Sequence, residues 1–228
     1  LLSHLLLDTP YPREVFDLFR AHEETLLQGL MNMRDGEATY MESLMTALLD
    51  AGDAMTTMGS SAVASQGEHM LAHTLDLKYG SELLNVMHGE LIAITSVTMS
   101  QFQQRMLNGV PVVKRMEYSD EQFIRLFGKH HADGLAKAYN KKLLTTEQVA
   151  LINARIKAHW PEMLAQLQEV ILPTMTLERA FIHSGLNTKP TQINMAEERY
   201  RFATSYAHLT RNRFTFLDLA AMNVRRVA

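Results

Sequence analysis

Hydrophobic residues recur along most of the chain at intervals of three or four positions, which is the period of an amphipathic α-helix. The clearest stripe covers residues 13–31, where charged side chains separate the apolar ones. No run alternates polar and apolar residues over the length of a strand between turn signals. The pattern therefore predicts an all-α bundle, with further helices over residues 37–58, 66–77, 82–107, 119–127, 131–139, 146–170 and 195–210.

Turn and cap residues predict where several of these helices begin and end. Asp35 and Gly36 mark the joint between the first two helices. Ser65 precedes the third helix, and Glu68 follows it three residues later in the arrangement of a capping box. Pro161 predicts a kink in the helix that contains it. The segment 82–107 is apolar on most sides in its middle, so we expect it to be the central buried helix.

Composition excludes several classes of function. The 22 Lys and Arg against 25 Asp and Glu give a net charge of −3, which is too balanced for a nucleic-acid-binding protein. The chain has no cysteine, so the expected metal ligands are His, Asp and Glu. Its apolar runs are shorter than the ~20 residues of a membrane span. With no signal peptide either, we expect a cytoplasmic protein.

Three of the ten histidines share a pattern that suggests chemistry. His69 and His73 are four residues apart, so on a helix they project from one face. His88 follows a turn at Gly80 and Ser81, and reversal of the chain there would return it to the first two. Neutral imidazole is a common ligand of divalent metals. On spacing alone, however, histidines that only pack between helices remain the alternative. The other seven are assigned ordinary packing or surface roles.

Longer stretches of the sequence resemble a known family. Residues 54–73 read AMTTMGSSAVASQGEHMLAH, residues 88–90 read HGE, and residues 211–221 read RNRFTFLDLAA. Together these resemble the second half of glycerol-1-phosphate dehydrogenases, which belong to the superfamily of iron-containing alcohol dehydrogenases and dehydroquinate synthases. The resemblance extends from about residue 26 to the end of the chain. It implies that residues 1–228 form a helical metal-binding domain, the C-terminal domain of the dehydroquinate synthase-like fold.

The resemblance also implies roles for individual residues. His69 and His88 would bind a divalent cation, namely zinc, iron or nickel, and His73 would lie beside the substrate as the catalytic histidine. The cation would polarise a carbonyl group while a nicotinamide, NAD or NADP, donates hydride. His73 would deliver or relay the proton. Glu68 and Glu90 would orient the imidazoles, although Glu68 is equally well explained as a helix cap.

The chain departs from the family pattern in two places. The family's Arg-Pro is Ala62-Val63 here, and its following Gly is Gln66, so a basic residue that could face a phosphorylated substrate is missing from this segment. The family's third ligand, an Asp, and the preceding α/β nucleotide-binding domain are also absent from these 228 residues. We therefore expect NAD(P) to be bound through an N-terminal domain outside this chain, and the chain alone to be inactive.

The expected partners are a small polyol or polyol-phosphate substrate and that nucleotide-binding domain, and a homo-oligomer is also compatible with the sequence. Two alternatives remain open. The chain could belong to another enzyme of the superfamily, either a polyol dehydrogenase or a dehydroquinate synthase-like lyase. It could also be a non-catalytic helical module for binding or assembly that retains the histidines as relics.

Overall fold

The structure, a computed structural model, describes residues 1–32, 38–83 and 85–224. These residues fold into α-helices joined by short 3-10 turns, and their only β pairing is an isolated bridge between Val113 and Asn223. The prediction of an all-α fold is confirmed. The helices are α1 (Leu2–Leu7), α2 (Arg13–Asn32), α3 (Ala38–Thr57), α4 (Gly67–Tyr79), α5 (His88–Leu107), α6 (Asp120–Phe127), α7 (Lys129–Asn140), α8 (Thr146–Val170), α9 (Thr174–His183), α10 (Glu197–Tyr206) and α11 (Phe216–Met222).

Two hydrophobic clusters hold these helices together. The larger one is built by α1, α4, α5, α8 and α11, and its fully buried members include Leu71 and Leu75 of α4 and Ile152 of α8. The smaller one joins α6 to α7 around the aromatic rings of Phe123 and Tyr139. Within the described ranges, no helix combines the length and apolar character that a membrane crossing requires.

Several predicted boundaries are confirmed. Helix α6 begins after Ser119, whose hydroxyl accepts the backbone N–H of Gln122 in a complete capping box. Helix α8 covers the predicted range, and its backbone leaves helical geometry at His159, just before Pro161. Helix α3 ends two residues before Gly59, which has a φ of 59°. The predicted joint at residues 35–36 lies outside the described residues.

Three helix predictions are wrong in detail. Helix α5 begins at His88 rather than at residue 82, because the preceding segment forms a 3-10 turn and then an extended approach through Met87. The predicted helix over 195–210 is α10 followed by a 3-10 turn, since Ala196 is still extended and the α-helix ends at Tyr206. Ser65 does not cap α4. Gln66 occupies the N-cap position without a side-chain cap.

The C-terminal helix α11 was not predicted from the sequence. It begins after Thr215, whose hydroxyl and backbone N–H both contact Asp218. Asp218 also forms a buried ion pair with Lys142 at 2.5 Å, and the Lys142 ammonium donates to the carbonyl oxygens of His208 and Arg213. These contacts hold the C-terminal segment against Lys142, which follows the end of α7.

Candidate metal centre

Helices α4 and α5 carry the three histidines and pack directly against each other. Gly67, at the start of α4, lies against the Met99 side chain of α5, whose Cε would be 2.6 Å from a Cβ at that position. One side of α4 is anchored in the core by Leu71 and Leu75, both fully buried. The side that bears His69 and His73 is therefore held in a fixed position beside the first turn of α5.

The structure brings the three predicted histidines together. The ring centroids of His69 and His73 lie 5.8 Å apart, and each lies 5.5 Å from the centroid of His88. One nitrogen from each ring can be chosen so that all three lie within 4.8 Å of one another. Among the described residues, no other group of three His, Asp or Glu side chains brings its ligand atoms this close together. His69 and His73 are half-buried, whereas His88 is exposed, so the cluster opens to solvent on one side.

The surroundings favour uncharged imidazoles. Burial is the main cause that lowers the pKa of both His69 and His73 below the ordinary histidine value. The positive charge of Arg211 lowers the pKa of His73 further, and it acts on His69 in the same direction. Neutral imidazole keeps a free lone pair, which is the form that binds a metal ion.

The donor set fits a divalent transition metal. Zinc–imidazole bonds are about 2.0–2.1 Å long, so two nitrogens on one tetrahedral ion lie about 3.4 Å apart. The nitrogens of this cluster lie within 4.8 Å of one another, so side-chain rotations must draw the rings together before they can share an ion. Three imidazoles without a thiolate suit zinc, iron or nickel better than calcium or magnesium, which prefer oxygen ligands.

The C-terminal motif lies against the segment that precedes α4. The Arg213 guanidinium donates to the Ser61 hydroxyl at 2.9 Å and also to the carbonyl oxygen of Ser65. Segments that are about 150 residues apart in sequence therefore meet at the edge of the histidine cluster. Arg213 brings a positive charge to a segment, residues 59–66, that contains no Lys or Arg of its own.

Neither glutamate expected to orient the imidazoles forms a hydrogen bond to one. The Glu68 carboxylate accepts the backbone N–H of Gln66 at 2.7 Å, so its observed role is at the start of α4. The Glu90 carboxylate accepts from the side-chain amide of Asn187. The sequence reasoning missed Asp76, whose carboxylate faces His73 and His88. Its position three residues after His73, on the same helical face, was the available signal.

These features define an all-α protein with an open cluster of three histidines at the junction of two core helices. Part of the sequence is similar to curated glycerol-1-phosphate dehydrogenases [NAD(P)+]. The protein of that name from Geobacillus stearothermophilus is 29% identical over 104 residues, which is 45% of this chain and 26% of that protein. Those from Pyrobaculum aerophilum and Pyrobaculum arsenaticum are 39% and 40% identical over 57 residues, which is 25% of this chain and 17% of each of them.

The similarity covers only part of each relative. The chain spans about a quarter, or less, of the length of the curated relatives it matches. No family model and no solved structure matches the chain. The relatives nevertheless carry the name of the family that the motifs resemble.

Proposed function

We propose that this chain is the helical, metal-binding part of an NAD(P)-dependent oxidoreductase similar to glycerol-1-phosphate dehydrogenase. Its substrate would be a small ketone phosphate such as dihydroxyacetone phosphate, reduced to a glycerol phosphate. The observation that carries the proposal is the convergence of His69, His73 and His88, with one nitrogen of each within 4.8 Å of the others. The partial similarity to dehydrogenases of that name supports the same proposal.

In this proposal His69 and His88 hold the cation, which would be zinc, iron or nickel. When bound, such a cation acts as a Lewis acid that polarises a carbonyl group. His69 comes from α4 and His88 from the first residue of α5, so the packing of these two helices sets their separation. The open side of the cluster leaves room for a substrate oxygen.

His73 acts on the substrate rather than on the cation. Its ring lies within 5.8 Å of both other rings and is half-exposed, so it borders the same opening. Because its pKa is lowered, His73 is neutral at pH 7 and presents one N–H and one lone pair. We assign it the hydrogen bond to the substrate oxygen and the relay of a proton to that oxygen as the carbonyl is reduced.

A phosphorylated substrate would meet positive charge at this site. Arg211 is exposed, and within the described residues it forms no hydrogen bond or ion pair. After burial, the charge of Arg211 is the next cause that lowers the pKa of His73, and it acts more weakly in the same direction on His69. A guanidinium with free donors is well suited to a phosphate group. This supports a polyol phosphate over an uncharged polyol.

Within the described residues, this chain lacks the elements of the usual nicotinamide-dinucleotide site. A dinucleotide site of the usual kind needs a glycine-rich loop between a parallel strand and a helix. The sequence has no such loop, and the described residues include no strand. We therefore assign the cofactor to a nucleotide-binding domain of a longer protein, and we expect the 228-residue chain alone to give no turnover.

Single substitutions in the intact protein that carries this chain test the proposal. His69→Ala should lose both bound metal and the NAD(P)H-dependent reduction of dihydroxyacetone phosphate. His73→Ala should retain its metal and lose about 10²–10⁴-fold in turnover, the usual worth of a general acid. The matched control is His130→Ala, which changes an exposed histidine on α7.

The outcomes separate the alternatives. If His73→Ala loses as much metal as His69→Ala, His73 is a ligand. If the turnover of His73→Ala is unchanged, His73 has only a packing role. A protein that binds metal but reduces no ketone phosphate would contradict the proposed activity and favour another enzyme or a binding module. A wild-type protein that binds no metal would contradict the site itself.

A further inference from the structure

Asp76 lies next to the histidine cluster, and the function proposed above gives it no role. It follows His73 by three residues on α4, so both side chains project from one face of the helix. One oxygen of its carboxylate, Oδ2, lies 3.8 Å from the Nδ1 of His88 and 4.0 Å from the Nδ1 of His73. Among the described residues, no Lys or Arg forms an ion pair with it.

The chemistry of imidazole gives this arrangement a consequence. A neutral imidazole carries one N–H and one lone pair, and the nitrogen that bears the hydrogen is set by its hydrogen-bonding partner. A carboxylate can only accept hydrogen bonds, so it favours the N–H on the nitrogen that faces it. Here the nearest ring nitrogen is Nδ1 of His88, so the carboxylate leaves the Nε2 atom of His88 with the lone pair.

Asp76 itself lies outside the group of candidate ligands. No oxygen of the Asp76 carboxylate joins the group of ligand atoms from His69, His73 and His88 that lie within 4.8 Å of one another. The two carboxylates that sequence reasoning named for orienting the rings are bonded elsewhere, Glu68 to the backbone of Gln66 and Glu90 to Asn187. Asp76 is therefore the carboxylate placed to act on the rings.

We infer that Asp76 is a positioning residue of the metal centre: its carboxylate accepts the Nδ1–H of His88 and so leaves the Nε2 lone pair of that ligand free to bind the cation. This inference rests on the proposed function in that it assigns a metal to the histidines. Only a slight side-chain rotation separates the observed 3.8 Å from hydrogen-bonding distance. A carboxylate on α4 would thus fix the tautomer of a ring on α5.

The first measurement is a titration of the purified chain with Co²⁺, followed by the visible absorption of the bound ion. Asp76→Asn should weaken Co²⁺ binding by about 10–100-fold, as is usual when a partner of a metal-ligating histidine is removed. Asp76→Glu keeps a carboxylate and should restore part of the affinity. The matched control, Asp133→Asn, removes an exposed carboxylate on α7 that pairs with Lys137, and it should bind Co²⁺ like the wild type.

The second measurement needs no metal, so it separates this inference from the proposed function. In ¹⁵N spectra of the metal-free chain, His88 should carry its hydrogen on Nδ1, and Asp76→Asn should shift it toward Nε2–H. If the wild type binds no Co²⁺ but His88 shows this tautomer, the proposed function fails while the control of the His88 tautomer by Asp76 stands. If Asp76→Asn changes neither the tautomer nor the affinity, the inference is wrong.

Discussion

At the scale of single residues, His208 shows how the fold controls the charge of a histidine outside the cluster. Its side chain is 4% exposed. Burial, and then the nearby ammonium group of Lys142, lower its pKa to about 3. The folded protein therefore holds this imidazole neutral over the whole range in which an unfolded histidine, with a pKa near 6.5, becomes charged.

This difference predicts that stability is lost progressively as the pH falls from about 6.5 toward about 3. Below pH 6.5 the unfolded chain binds a proton at His208 that the folded chain does not, so the free energy of unfolding falls as the pH falls. The slope from one such group is at most about 1.4 kcal/mol per pH unit. His69 and His73, whose pKa values are also lowered, act in the same direction.

Urea denaturation at pH 7.5 and at pH 5 would measure this effect. His208→Gln should lose less stability than the wild type between the two pH values, whatever its stability at pH 7.5. The exposed control His130→Gln should follow the wild type. An equal loss in wild type and His208→Gln would show that His208 is not held neutral by the fold.

Residue patterns in the sequence predicted the cluster but not all of its surroundings. The four-residue spacing of His69 and His73 specifies one helical face, and this is local information. The partner of Glu90 is Asn187, which is 97 residues away, and such a contact cannot be read from spacing. The place of Asp76 beside the cluster, in contrast, was predictable, because a residue three positions after His73 lies on the same helical face.

At the scale of elements, helices α3 and α4 use their apolar residues in opposite ways. Helix α4 buries Leu71 completely on the side away from the histidines. Helix α3 exposes four large apolar side chains at helical spacing, with relative exposures between 57% and 63%, namely Met41, Met45, Leu48 and Leu49. Amphipathic spacing alone predicts a helix in both cases, but it does not tell which apolar face is covered.

The contrast predicts that replacing Leu by Ala lowers the free energy of unfolding much more in α4 than in α3. Leu71→Ala should lower the free energy of unfolding by about 2–5 kcal/mol, because it leaves a cavity in the core. Leu49→Ala, at 63% exposure, should change it by less than about 0.5 kcal/mol in the monomer. Denaturation of both variants by urea checks this. A loss above 1.5 kcal/mol in Leu49→Ala would mean that another part of the protein, or a second copy, covers this face.

Element boundaries were less predictable than element existence. Residues 82–87 have apolar spacing that continues the pattern of α5, yet Leu83 reaches the core from a turn rather than from a helix. The seven-residue helix α11 is too short for a periodic pattern to be recognised. Its stability comes instead from tertiary packing on α5, while the ion pair of Asp218 with Lys142 fixes its position.

At the scale of the whole molecule, the chain returns its C-terminal segment to the beginning of α4. Lys142 holds the carbonyl oxygens of His208 and Arg213, while the Arg213 side chain reaches Ser61 and Ser65. Two stretches that resemble one family in the sequence are thus adjacent in the fold. Residue spacing could not have predicted this adjacency, because it depends on contacts that span most of the chain.

The central claim is that His69 and His88 bind one divalent cation. It is tested most directly by anomalous X-ray diffraction at the zinc edge from crystals of the chain soaked in excess zinc. The account predicts one strong peak between α4 and α5, about 2.0–2.1 Å from a nitrogen of His69 and from a nitrogen of His88. A map without a peak there, or with zinc bound only at surface histidines such as His130, would contradict it.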